Sequence, residues 1–571
     1  MKASVAVAHW LAAKRFEYCF ELAGGMITHL LDALLEVGYT SIVSMHHEQA
    51  AGFAAEGFMR ATRGERMAVA MGTSGPGATN LITPIGSCWF DSIPCLFITG
   101  QVNTYEQKGE RPLRQQGFQE LDIVPAIRSI TKYSAKVEHS SMLLPALHEA
   151  CSLALSGRRG PVLVDIPNDI QRADISDEVV DDWVRRPLEI TRSSAVHEAQ
   201  LAQLLAFCRE SKRPLICFGG GAKTASNFDV WRGRLERLGV PYVSTLLGQE
   251  RIPASPLYFQ MIGAYGNRAA NWAVQNCDLL LVIGARMDIR QTGADPQDFA
   301  RSARIVHVDV DKWQLNNRVV SHLAIECDAE ALYAALPVSD GTFPLLSSGW
   351  VAKLTQLRTA LDRDEYVGSN VSPYRIMQEL MNAVGDRPAH FVCDVGNHQM
   401  WAAHGLKLSP GQSIHHCGGM GAMGFALPAG IGMALATGQR VYLVVGDGGF
   451  QLNMQELDTL RRLKLNIVII LLNNESLGMV KNFQDMYFEG RDQSTRQGYS
   501  FPEFVKVARA FGITAVSIKP GESITAAIKG LANDATPALV EIRLPGATEC
   551  RPRLAFGSKL DEQYPPTEHT K

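Results

Sequence analysis

The chain has 571 residues, 46% of them hydrophobic and 20% charged, with a formal net charge of −3. One hydrophobic core stops growing at about 250–300 residues, so a single-domain protein is excluded and two to four domains are expected. The near-neutral charge argues against nucleic acid or an anionic membrane as the main partner, and no run reaches the roughly 18 apolar residues of a membrane span.

The first 25 residues, MKASVAVAHWLAAKRFEYCFELAGG, hold a short apolar stretch interrupted by Lys14, Arg15 and Glu17, with no cleavage site. They predict an amphipathic helix, not a signal peptide. Apolar strands follow at Thr40–Ser44, Met67–Met71, Cys95–Thr99 and Val162–Ile166. Asp174–Ser194, charged and broken by Pro187, reads as a linker. A second group of strands falls at Leu215–Phe218, Leu279–Ile283 and Ile305–Val308, and Val338–Gly349 reads as a second linker. The third group is Phe391–Cys393, Val441–Val445, Ile467–Leu472 and Ala538–Ile542. The tail after Pro552 is expected to be loosely ordered, with Pro565 and Pro566 barring helix. Strands alternating with helical stretches predict an α/β protein of three doubly wound parallel-sheet domains, at about 1–185, 190–345 and 360–555. The eleven cysteines form no CxxC pair, and Cys217, Cys277 and Cys327 sit in or beside apolar runs. Buried reduced thiols of a cytoplasmic protein are expected, rather than disulfides or a zinc site.

The chemistry is clearest in the last block. In VYLVVGDGGFQLNMQEL a strand pattern ends at Gly446-Asp447-Gly448, and NIVIILL ends at Asn473-Asn474. Asn474 lies 27 positions after Asp447, room for one helix and one strand, so adjacent strand ends present both at the carboxyl edge of a sheet. A carboxylate, an amide oxygen and a nearby backbone carbonyl are hard donors suited to Mg²⁺ shared with phosphates, and glycines let phosphates approach the backbone. GDGGFQLNMQEL…LNNESLGMV resembles the thiamine-diphosphate signature of acetohydroxyacid (acetolactate) synthase-like enzymes. The resemblance implies that Asp447, Asn474 and the carbonyl of Ser476 ligate the metal. It implies cofactor contacts from Gly446, Gly448, Gly449 and Met479, and from Gly396, Asn397 and His398 of DVGNHQMWAA. In GGMGAMGFALPAGIG it points to Gly421 and to Met423 as the support that bends the cofactor.

In the first block, SIVSMHHEQAAGFAAEGFMRATRG is a strand, then Glu48, then a helix. By itself Glu48 is an ordinary acid at a helix start. The resemblance makes it the carboxyl group that drives the thiamine aminopyrimidine to its reactive tautomer. It places the Gly-rich turn Gly72–Gly86 against the cofactor, and Phe118 and Gln119 of RQQGFQELDIV at the substrate, with Gln119 able to donate to a developing oxyanion. The family builds each site from two subunits, so a homodimer or homotetramer is implied.

The middle block carries Gly219, Gly220 and Gly221 after a strand, and Asp309 and Asp311 in RIVHVDVD. Residue pattern alone says only that a dinucleotide would fit. GARMDIRQTG resembles the run that holds FAD in acetohydroxyacid synthases and points to Gly284, Arg286 and Arg290, and SGRRGPVLVDIPNDIQ adds Arg158. Four positions depart from the family pattern: Phe483 for a Trp, Ala264 and Tyr265 for Met and His, and Asn168 for a Lys. The smaller side chains predict a roomier acceptor pocket, as in the branch that resembles branched-sugar carboligases and transfers acetyl from pyruvate to a nucleotide-linked 4-keto deoxysugar. Acetolactate synthesis from two pyruvates is the alternative, supported by Arg290. Pyruvate oxidation and a non-catalytic subunit are further readings, the last opposed by the intact Glu48, Asp447 and Asn474.

Overall fold

The computed structural model describes residues 1–192, 195–336, 348–362, 372–519, 522–532, 536–544 and 549–567. Three six-stranded, all-parallel sheets organise the chain. The first holds β1 (Phe16–Glu21), β2 (Ser41–Ser44), β3 (Met67–Gly72), β4 (Leu96–Gln101), β5 (Tyr133–Lys136) and β6 (Val162–Pro167) in the order 2-1-3-4-6-5. The second holds β7 (Pro214–Phe218), β8 (Tyr242–Ser244), β9 (Tyr258–Met261), β10 (Leu279–Ile283), β11 (Arg304–Asp309) and β12 (Leu323–Glu326) in the order 12-11-10-7-8-9. The third holds β13 (Ala389–Cys393), β14 (Gln412–His416), β15 (Arg440–Gly446), β16 (Ile467–Asn473), β17 (Thr514–Ile518) and β18 (Ala538–Arg543) in the order 14-13-15-16-18-17. Helices cover both faces, so inner strands such as β3, β4 and β16 are buried along their whole length and read as unbroken apolar runs.

Each sheet reverses its strand order near its middle: between β1 and β3, between β7 and β10, and between β13 and β15. The loops on either side of a reversal leave in opposite directions and open a crevice at the carboxyl edge. Gly219–Gly221 and Gly284 flank the second crevice, and Gly396 and Asp447 flank the third.

All eleven predicted strands form. The N-terminal reading needs correction. The helix Ala3–Ala13 is buried over most of its surface rather than amphipathic, and Phe16–Glu21 is a sheet strand. Arg15, at φ 63, ends the helix in the left-handed region, and the alternating aromatics of FEYCF then favour strand. The first expected linker contains the helix Asp177–Arg185, docked through Val180. The second lies outside the described residues up to position 347, and the helix Ser348–Leu361 follows. The tail is not loose. Arg553–Leu554 pairs with Gln563–Tyr564, Leu560 is buried, and Arg268 donates to the carbonyls of Gln563 and Pro565. No helix among the described residues is long and apolar enough to cross a membrane. All eleven cysteines are buried free thiols.

The first and third sheets meet through the helices Glu48–Thr62 and Ala426–Thr437. Their backbones nearly touch: a Cβ on Gly57 would sit 2.0 Å from the Ala429 carbonyl, and one on Gly432 would sit 1.8 Å from that of Ala54.

Candidate active site

At the end of β15 the Asp447 carboxylate is buried, and Tyr499 Oη donates to its Oδ2 at 2.8 Å. Burial pushes its carboxyl up to about 6, against the Tyr499 bond and nearby backbone N–H groups that pull it down. The Asn474 side-chain oxygen lies 2.9 Å from the Ser476 carbonyl and 3.0 Å from Asp447 Oδ1. Three acceptors at such distances repel unless the amide turns over to donate to both or a cation sits among them. The edge of an octahedron of oxygens about 2.1 Å from Mg²⁺ is about 3.0 Å long, so both distances from Asn474 match edges of a magnesium shell.

Beside this cage, the His398 ring fills the space that side chains on Gly396 and Gly446 would need. Cβ atoms there would lie 2.8 Å from its Cε1 and Nδ1 respectively. Gly396, at φ 146, is held in a conformation that favours glycine. Burial drives His398 down to about 3, so the ring is neutral, and its buried Nε2 has no partner in the protein. Such an orphaned group suits a diphosphate oxygen. Asn397 opens the helix Asn397–Gly405, and its amide oxygen accepts from Asn482 at 3.3 Å. The helix Gly478–Tyr487 begins at the cage with Met479 in its first turn, and a Cβ on Gly478 would sit 2.4 Å from the Asn474 amide nitrogen. A diphosphate group would find two helix starts and a neutral imidazole here, beside the three oxygens.

Met423 approaches from the loop between β14 and the helix Ala426–Thr437. Its Cε lies 3.3 Å from where a Gly448 side chain would begin. Gly421, at φ 64, turns that loop. Gly449 is packed on Asp394, whose carboxylate would lie 2.7 Å from an added Cβ.

In the first domain Glu48 opens its helix, is buried, and accepts from the Asn80 amide at 2.9 Å. Gly77 passes close by: a Cβ there would be 3.3 Å from Glu48 Oε1. Gly75 lies against Gln119, which adopts the left-handed φ of 64. The Glu120 carboxylate gathers the N–H groups of Lys108, Gln116 and Gly117, which shapes the loop presenting Gln119. The structure thus brings Glu48, the Gly-rich turn and Gln119 together, whereas Phe118 projects outward, 81% exposed.

A cavity of about 570 Å³ lies among all three domains. Arg158, Gly220, Gly221, Gly284, Arg286, Arg290 and Asp309 line it, as do Ala264 and Tyr265. Gly219 does not. Its hydrogen takes the place of a Cβ that would sit 2.0 Å from the Gly284 carbonyl, so it serves the crossing of two strand ends. Arg158 bridges two domains, donating to Ser92 at 3.0 Å and pairing with Asp311 at 2.9 Å. Burial raises the Asp309 carboxyl to about 6. The long cavity, with close-approach glycines at a strand-order reversal and an acid at a strand end, fits a dinucleotide such as FAD. Ala264 donates to the Arg290 carbonyl at 2.7 Å, and the Arg290 guanidinium lies 5.8 Å from the Tyr265 ring. Phe483 instead packs on Tyr487 at 4.6 Å and is 53% exposed. Asn168 lies at the start of a short helix after β6, its amide 3.7 Å from the Met26 sulfur.

Sequence reasoning missed three residues that shape the site: Tyr499, Asn80 and Asp394. Asn80 and Asp394 lie inside motifs that were read for other members, and Tyr499 stands 52 positions from the carboxylate it serves.

Three family profiles match in chain order. They are the N-terminal binding domain of thiamine pyrophosphate enzymes over residues 1–126, the central domain over 201–336 and the C-terminal binding domain over 394–542. Full-length relatives agree. The chain is 35% identical to the acetolactate synthase isozyme 2 large subunit of Escherichia coli K12, over 97% of this chain and 98% of that one. It is 34% identical to the acetolactate synthase large subunit of Corynebacterium glutamicum (99% and 90%) and to the chloroplastic acetolactate synthase 2 of Nicotiana tabacum (95% and 82%). Thiamine diphosphate, Mg²⁺ and FAD are the cofactors of these enzymes. Three family profiles in order and this end-to-end likeness lead to one conclusion: the chain belongs to the acetolactate synthase-like family of thiamine-diphosphate-dependent enzymes.

Proposed function

We propose that the protein is an acetolactate synthase, decarboxylating pyruvate and joining the two-carbon fragment to the carbonyl of a second 2-keto acid. The observation that carries this is likeness over nearly the whole chain to acetolactate synthase large subunits, with the metal-cage oxygens assembled. Bound thiamine diphosphate supplies the carbon nucleophile that takes up and hands on the fragment. In this reading Asp447, Asn474 and the Ser476 carbonyl hold Mg²⁺, and His398, Asn397, Gly396, Gly446, Gly448, Gly449 and Met479 surround the diphosphate. Met423, on the loop turned at Gly421, props the ring. Glu48 holds the proton that sets the aminopyrimidine tautomer, and Gln119 donates to the oxygen that gains charge at the substrate carbonyl. Arg290, exposed at the cavity wall, offers its guanidinium to the carboxylate of the acceptor keto acid.

The active unit in this reading is a dimer or tetramer in the cytoplasm, Glu48 of one chain serving the metal cage of another. Within one chain the hydrogen bonds of Glu48 run to Asn80, not to the cage. Tyr105, Leu113 and Phe118 on the Gln119 loop and Val480, Phe483 and Phe488 beside the cage are exposed apolar groups that a second chain would cover. Purified enzyme with Mg²⁺, thiamine diphosphate and FAD should convert pyruvate to acetolactate, read by mass spectrometry of labelled product. Pyruvate consumed with no acetolactate formed would sink the reading.

A bulkier ketone is the second reading, favoured by the Ala264 methyl at the cavity wall and the half-exposed Phe483 ring. Labelled pyruvate offered with a panel of ketones separates the two acceptors, and oxygen uptake would reveal an oxidase.

A further inference from the structure

One loop serves both cofactor regions. Cys417–Phe425 follows β14, and its two ends are held by two different carboxylates. At the first end Asp91 accepts the Gly418 and Gly419 N–H groups at 2.9 and 2.7 Å. At the second end Asp394 accepts those of Gly424 and Ala426 at 3.1 and 3.0 Å. Gly418, Gly419 and Gly421 line the large cavity, as does Asp91. Met423, two residues on, lies beside Gly448 at the metal cage.

The first anchor is tightly built. Asp91 is gripped from behind by Arg60, itself paired with Glu56 at 2.6 Å, and all three side chains are buried. Gly418 has no space for a side chain, because Asp91 Oδ1 and the Leu247 methyls would lie within 2.9 Å of a Cβ. Gly419 is equally confined, with the Phe90 Cβ 2.6 Å from that point. Between the anchors Gly419–Gly421 is exposed, so its path is set by the two carboxylates and by whatever fills the cavity.

We propose that Asp91 is a positioning residue that couples the two cofactor regions: a dinucleotide seated in the cavity presses the Gly418–Gly421 arm onto Asp91 and fixes Met423 under the thiamine ring. This rests on the assignment of Met423 to that ring. Binding of either cofactor then favours the loop path that the other needs, and the effect is reciprocal.

The test measures FAD affinity of the cofactor-free enzyme by flavin fluorescence, with and without saturating Mg²⁺ and thiamine diphosphate, and thiamine diphosphate affinity with and without FAD. The wild type should show the same tightening, at least about fivefold, in both directions. Asp91→Asn, which keeps the shape but loses one acceptor, should reduce it below about twofold. Gly419→Ala, which moves the loop by crowding Phe90 and alters none of the charged side chains, should do the same and decides the matter if Asp91→Asn does not fold. Two cofactors that bind the wild type independently, or variants that keep the full tightening while binding each cofactor more weakly, would overturn the proposal and leave the cofactor assignment standing. A wild type that binds FAD but no thiamine diphosphate would overturn both.

Discussion

In the proposed metal site Asp447 has to meet two opposed demands, to be buried and to be charged. Burial outweighs the hydrogen bonds that oppose it and leaves its carboxyl at about 6, so the folded, metal-free protein holds that proton more tightly than the unfolded chain does. The sign follows. Without metal, this group stabilises the fold as pH falls through about 6 toward the ordinary carboxylate range, and the gain is lost above that window. Mg²⁺ binding requires the ionised form, so its affinity runs the other way. Titration calorimetry should show Mg²⁺ binding about tenfold weaker at pH 5 than at pH 7, and Asp447→Asn should flatten that dependence. For Glu48 the expectation is a different split. Glu48→Gln should lower kcat by at least about a hundredfold while thiamine diphosphate still binds, because the amide keeps the size but cannot share the proton. Near-normal turnover in this variant would remove Glu48 from the chemistry. Asp447 and Asn474 were legible as candidates because each sits at the end of an apolar strand run, where the local pattern announces both the strand and its edge, whereas Glu48, by itself an ordinary acid at a helix start, was singled out only by the resemblance. Tyr499 carried no such signal. Its partner is set by how a distant loop folds back over the cage.

The same distinction governs the elements. Every strand foreseen from sequence exists, and the inner ones were plain because burial on both faces makes them continuously apolar. Of the seven strands that were not foreseen, β5, β9, β12, β14 and β17 lie at sheet edges. Sequences such as YSAK and QSIHH carry little apolar signal, the first because β5 is only half-buried, the second although β14 is buried along its length through polar side chains. The crossing of Glu48–Thr62 with Ala426–Thr437 was likewise invisible. Gly57 and Gly432 look like weak points of two helices until the partner backbone is in place. Because a methyl group at Gly57 would overlap the Ala429 carbonyl, Gly57→Ala should cost about 1–3 kcal/mol, seen as an earlier denaturant midpoint. An unchanged midpoint would mean that the two helices separate easily.

At the scale of the whole molecule, the proposed division of the site between chains makes a prediction that no single variant can test. A mixture of Glu48→Gln and Asp447→Ala chains, each inactive alone, should regain activity when the subunits are exchanged. One of the two sites in the hybrid then combines an intact Glu48 with an intact metal cage. If both halves came from one chain, every site would carry a lesion and the hybrid would stay inactive. The large cavity also belongs to this scale, since its walls come from all three domains and Arg158 ties the first to the second. So does the tail, which was expected to be loose yet pairs with itself and docks on Arg268.

The sequence by itself determined what depends on neighbours along the chain: the α/β class, the inner strands, the glycine turns at strand ends, and the metal-ligand candidates at those ends. Periodicity and turn chemistry act over a few residues, so they can be read there. Only the tertiary structure decided which strand ends face one crevice, why Gly219 serves a backbone crossing, and which carboxylates hold the Cys417–Phe425 loop at its two ends. Those features depend on contacts between residues tens to hundreds of positions apart, where proximity is fixed by packing and leaves no local mark on the chain.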